Sequence, residues 1–83
     1  MTPKPEAVMQ ALLPLLQRVC KQEQIAIWPE TVVADIAGLD SLRLIQVVAL
    51  LEEHFDVEVD VIALNNLTTI RDVINAIAGA RSA

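Results

Sequence analysis

Three runs of aliphatic residues at helical spacing constrain this chain more than any other feature. Val8, Leu12, Leu15 and Val19 recur at intervals of 4, 3 and 4 residues. Leu44, Val47, Val48, Leu51 and Phe55 fall on one side of a helix when successive residues are set 100° apart, and Ile70, Val73, Ile74 and Ile77 do the same. Each stripe needs an apolar surface to bury against, and the other two supply it. The composition agrees: 54% of residues are hydrophobic, yet aromatics are only Trp28 and Phe55, and only Gly38 and Gly79 are available for β-turns. Such a chain suits helix-on-helix packing better than a sheet. The expected fold is therefore all-α, a small four-helix bundle with three longer helices, a short third helix and a long loop between helices 1 and 2. At 83 residues it forms one domain over 1–83, with a core at about 5–79.

Local signals place the boundaries. The first helix runs from about Pro5 to Gln22. Pro14 inside it loses the bond to the Gln10 carbonyl, so the helix kinks there or divides, with Pro14 opening a second helix; a kink is the reading adopted. Residues 23–40 form a long loop, and a loop of that length has to be pinned. Ile27, Trp28, Val32, Val33, Ile36 and Leu39 are the candidates to insert into the core. Ile25–Trp28 is also a candidate short strand, with Val57-Glu58-Val59 as its available partner. Asp40 is placed to cap the second helix, which runs from Asp40 or Ser41 to about His54. Asp60 caps a short helix over Val61–Asn66. Thr69 caps the last helix with Asp72 as its capping-box partner, and Gly79 ends it.

Charge and cysteine content narrow the functions. Eleven acidic against six basic residues give a net charge of −5, which argues against nucleic acid and against an anionic membrane surface. No apolar stretch approaches the ~20 residues that span a bilayer. The run Ala7–Leu16 contains Gln10, has only Lys4 as a basic flank and is followed by no small-residue cleavage site, so no leader is expected. Cys20 is alone, which leaves no internal disulfide and no cysteine-based metal site, and a cytoplasmic monomer is expected.

Catalysis within this chain is not expected. The one imidazole, His54, follows Ser41 by thirteen residues on a single helix, roughly 20 Å at 1.5 Å per residue, so the two cannot exchange a proton. His54 is better placed as a favourable dipole partner near a helix C-terminus than as a ligand, and Cys20 as a small residue at the core edge. Ser41 stands out by position, at the first turn of a helix, where free amides and the helix dipole stabilise an anion. On the far side of the same helix, Leu42, Gln46, Ala49 and Glu53, flanked by Arg43 and Leu50, make an outer stripe more apolar than a solvated face requires. By itself this leaves two readings open, a simple capping pair on a protein-binding adaptor or a modification site.

The string Gly38-Leu39-Asp40-Ser41-Leu42, followed by Val47, Val48, Leu51-Glu52-Glu53, Phe55, Val57-Glu58-Val59 and Leu67-Thr68-Thr69-Ile70, resembles the acyl carrier protein family. The resemblance covers about the last half of the chain closely, while the first helix agrees in length and periodicity. It implies that Ser41, with Asp40 as cap and motif residue, carries a covalent 4′-phosphopantetheine supplied from coenzyme A by a phosphopantetheinyl transferase. The arm's thiol would hold an acyl group as a thioester and present it to acyl-loading and acyl-transferring or condensing enzymes of fatty-acid, polyketide or specialised synthesis. An aminoacyl, aryl or peptidyl cargo is the alternative, with Asp40 before the serine leaning towards the acyl branch. Leu42, Arg43, Gln46, Ala49 and Glu53 map onto the surface that such carriers present to partners. Independently of the resemblance, Val61, Ile62 and Leu64 exceed what a short helix has to bury, so at least one of them, with Val61 and Ile62 as the candidates, is expected to face a partner or cargo. Fatty-acid carriers usually have acids where this chain has Arg43 and Gln46, and a strongly acidic third helix. Here the negative charge sits at Glu52, Glu53, Asp56, Glu58 and Asp60, which implies partners that rely more on apolar contact near Ser41.

Overall fold

The computed structural model describes residues 3–82. Four helices follow in chain order, α1 (Pro5–Val19), α2 (Ser41–Phe55), α3 (Val61–Leu64) and α4 (Ile70–Ala78), with a 3₁₀ turn at Val33–Asp35. α1 packs on both α2 and α4. The Cα radius of gyration is 11.5 Å, close to the ~12 Å of a compact chain of this size. Among the described residues no helix is long and apolar enough to cross a membrane. Every buried side chain among them is aliphatic or the Cys20 thiol, and no polar or charged side chain is buried.

Pro5 opens α1 at a position where its missing N–H costs nothing. Pro14 lies inside a single helix and does not divide it. Leu12 and Leu16, on either side of Pro14, are each 1% exposed, so both halves of α1 are held on the same core. The buried stripe is Val8, Leu12, Leu16 and Cys20, with Leu15 and Val19 only partly buried. A repeat of four drifts around the helix, as a ridge of i±4 residues does when helices cross obliquely. α1 ends at Val19, short of Gln22, because Lys21 turns left-handed at φ 55° and the Gln22 N–H reaches back to the Gln17 carbonyl at 3.0 Å. That bond is the six-to-one closure of a Schellman turn.

The loop after α1 is stitched to the start of α4. The Val33 N–H donates to the Thr68 carbonyl, the Ile70 N–H to Thr31 and the Arg71 N–H to Pro29, each at 2.9 Å. Val33 and Ile36 are buried, and Ile27 and Leu39 are partly so. Trp28 does not pin the loop, because it is 61% exposed. Its N–H donates to Thr31 Oγ1 at 2.9 Å and its carbonyl accepts from the Thr31 N–H at 3.0 Å, which closes a turn there. Ile25–Trp28 forms no strand. β1 (Val57–Glu58) pairs antiparallel with β2 (Arg81–Ser82), in register Val57 to Ser82 and Glu58 to Arg81. The buried Ala80, just past Gly79, turns the chain after α4 towards β1 and carries the structure beyond the expected core limit at residue 79.

The caps fall where their residue types put them. Asp60 Oδ1 accepts from the Ile62 N–H, and α3 is only four residues long, ending at Leu64. The Thr69 hydroxyl and the Asp72 carboxylate form a capping box at α4, and Asp72 Oδ2 also accepts from the Thr68 N–H at 3.0 Å. Ile70, Val73, Ile74 and Ile77 are the buried face of α4.

The approach to α2 depends on Gly38, whose φ is +83°. A Cβ there would lie 3.2 Å from the Cys20 carbonyl oxygen and 3.4 Å from the Cys20 Cβ. Gly38→Ala therefore combines a left-handed alanine with a backbone contact that cannot easily yield, and is expected to cost about 1–2 kcal/mol in urea denaturation followed by circular dichroism. The Thr68 and Thr69 amides hold the Asp72 carboxyl below its ordinary range. Its contribution to stability is thus present above the usual carboxylate range and lost as pH falls through the lowered value. Asp72→Asn should be less stable than the parent at pH 7, with the difference shrinking below about pH 4; a gap that stays constant down to pH 3 would contradict this.

The exposed start of helix α2 as candidate functional site

Ser41 is the first residue of α2, a helix of 15 residues, and its side chain is exposed. The turn before it is fixed from both sides. Gly38 rests on Cys20, at the C-terminal end of α1, and Gln22 Nε2 donates to the Ala37 carbonyl at 2.9 Å. From within α2, Arg43 Nη1 donates to the Gly38 carbonyl at 2.8 Å. Asp40 has extended backbone, and its Oδ1 accepts from the Arg43 N–H at 2.8 Å while its carbonyl accepts from the Leu44 N–H. The Ser41 and Leu42 N–H groups have no acceptor among the described residues, and the Ser41 hydroxyl makes no hydrogen bond there. An accessible hydroxyl thus stands beside two free amides at the positive end of a helix dipole. This arrangement fits a phosphoester on Ser41, since a phosphate there meets donors without displacing any existing bond.

The Cys20 thiol behind this turn takes no part in such chemistry. Burial pushes its pKa up, against the pull of Arg43 and with a smaller push from Asp40, so it stays protonated at neutral pH. His54 lies at the other end of α2, edge-on to Phe55 with ring centroids 4.7 Å apart. A surface groove of about 930 Å³ lies between α1 and the C-terminal half of α2 and is lined by Pro14, Arg18, Leu50, His54 and Phe55. Ser41 is not on it.

Leu42, Arg43, Gln46, Ala49 and Glu53 are all exposed along α2, as the outer stripe requires. Leu50, expected on its flank, is half-buried instead. The sequence reading missed Ile45, which is 48% exposed and extends the apolar part of the stripe beside Leu42 at 65%. The helical wheel contains that signal, because Ile45 falls between the core side and Ala49. Val61 and Ile62 of α3 are the most exposed large aliphatic residues, at 68% and 71%. Glu52 also has a task beyond solvation: its Oε2 accepts from the Val59 N–H at 2.9 Å and ties the segment before α3 to α2.

Comparison with known proteins bears on this geometry. The family model for the phosphopantetheine attachment site matches residues 10–77. An acyl carrier protein of Syntrophobacter fumaroxidans is 37% identical over 57 residues, which cover 69% of this chain and 70% of that protein. No solved structure matches. The matched span reaches from within α1 almost to the end of α4, and so the chain belongs to the acyl carrier protein family, non-catalytic carriers whose cofactor is 4′-phosphopantetheine.

Proposed function

We propose that residues 1–83 are one cytoplasmic carrier domain, modified on Ser41 Oγ by a separate phosphopantetheinyl transferase and serving fatty-acid, polyketide or related specialised synthesis. The observation that carries this reading is the exposed, unbonded Ser41 hydroxyl at the start of α2, next to two amides without acceptors. The attached group supplies a terminal thiol on which an acyl cargo rides as a thioester. The chain's own residues hold the phosphoester end. The Ser41 and Leu42 amides face it, the dipole of α2 favours its charge by about 0.3–1 kcal/mol, and Arg43 keeps the turn rigid through Gly38. None of them is a base for the Ser41 proton. Asp40 is engaged as a cap and His54 is at the far end of the helix, so the base belongs to the transferase.

Leu42, Ile45, Gln46, Ala49 and Glu53 form the docking face, with Val61 and Ile62 on α3 as its second part. Charge along this surface is uneven. Asp40 and Arg43 are the charged residues at the Ser41 end, and both are tied into the turn, whereas Glu52, Glu53, Asp56, Glu58 and Asp60 crowd the other end. A partner enzyme that fits has an apolar surface opposite Leu42 and Ile45 and basic residues opposite the acidic end.

Incubation with coenzyme A and a broad-specificity transferase should add one phosphopantetheine to the parent by intact mass, and none to Ser41→Ala. A parent that stays unmodified with several transferases would instead mark the chain as an adaptor with Ser41 as a plain cap. Leu42→Asp and Gln46→Lys should each slow turnover with the native partner about tenfold or more, with unfolding free energy within about 0.5 kcal/mol of the parent. Full turnover in both variants would remove the docking role from this face.

A further inference from the structure

We propose that β2 is a clip that holds α3 closed, so that the C-terminal residues Arg81 and Ser82 set the position of a helix far from them in sequence. α3 buries no residue and has a single turn, too little to persist through its own hydrogen bonds. Leu64 packs partly buried against the core, and the other restraints lie on either side. Downstream, Asn66 Nδ2 donates to the Ile62 carbonyl at 2.7 Å, and the Thr68 carbonyl is tied to Val33. Upstream there are two clasps, the Glu52 carboxylate on the Val59 N–H and the pairing of Val57 and Glu58 with Ser82 and Arg81.

The second clasp is unusual in its reach. Val57, within β1, is 2% exposed and Ala80, just before β2, is 8% exposed, so each side of the ladder is anchored by a residue seated in the core. A ladder of two residues per strand is marginal by itself and persists only while both anchors hold. Freeing β2 leaves Glu52 as the one remaining upstream clasp on the segment from Val59 to Leu67. Opening that segment uncovers Val59, Leu64 and Leu67, which pack partly buried against the core, and frees the exposed Val61–Ile62 pair from its fixed place. On the carrier reading this gives the clip a use, since those apolar side chains are surfaces that an acyl chain tethered at Ser41 can contact. The clip itself does not rest on that reading.

Hydrogen exchange on the unmodified protein tests the clip without reference to any cargo. Three chains are compared: the parent, a chain ending at Ala80, and the double variant Arg81→Gly, Ser82→Gly, which keeps the length but weakens strand pairing. Amides from Val59 to Asn66 should exchange about tenfold faster in the shortened chain and about threefold faster in the double variant. Amides in the middle of α1, α2 and α4 should stay within about twofold of the parent, as expected for a local opening. Unchanged exchange at 59–66 in the double variant would overturn the proposal. So would an equal acceleration in all four helices, which would make β2 a contributor to global stability and no more. If the shortened chain does not fold, the double variant alone decides between these outcomes. Addition of phosphopantetheine to Ser41 is measured separately, so failure of the clip and failure of the carrier assignment are told apart.

Discussion

The contact between Gly38 and the backbone of Cys20 is what the functional end of the molecule depends on. A loop of about twenty residues has many ways to reach the next helix, and α2 starts at the correct residue only because the chain can press its backbone onto the end of α1. Once there, Gln22, Arg43 and the Asp40 carboxylate lock the turn with hydrogen bonds, none of which involves the Ser41 hydroxyl. The serine is thus placed by its neighbours and left unoccupied by them. Rigidity of the support and freedom of the hydroxyl come from the same few bonds.

Much of this was legible in the sequence where a residue type has one dominant use. Asp40, Asp60 and the Thr69–Asp72 pair were readable as caps because short polar side chains before apolar runs have few alternatives, and all three accept the expected first-turn amides. The α2 and α4 stripes followed from periodicity alone. What escaped depended on contacts between distant segments. Nothing local marks Arg81–Ser82 as the partner of Val57–Glu58 in place of Ile25–Trp28, because two-residue strands carry almost no pattern and the choice is made by how α4 delivers Ala80 to the core. Trp28 looked like an anchor by size, but it lies at the start of a turn closed on Thr31 and is exposed. In α1 the difference between Leu15 and Leu16 is a rotation of 100°, decided by the angle at which α1 crosses its neighbours.

The site was legible to a different degree. The motif around Ser41 singled out one hydroxyl, and the structure adds the reason it suits an anion, two amides without acceptors. The docking face was only partly visible: Ile45 was missed, and Glu52, read from the sequence only as one of the acids that carry the negative charge, also ties the segment before α3 to α2. Both residues lie at the edge between the core and outer sides of α2, where a wheel drawn at fixed angles discriminates least.

The outward placement of Trp28 has a practical consequence for anyone handling this protein. As the sole indole, and already 61% exposed in the native state, it will shift its emission less on unfolding than a buried tryptophan would. Intrinsic fluorescence will therefore under-report denaturation, and a flat emission trace would say little about whether the helices had melted.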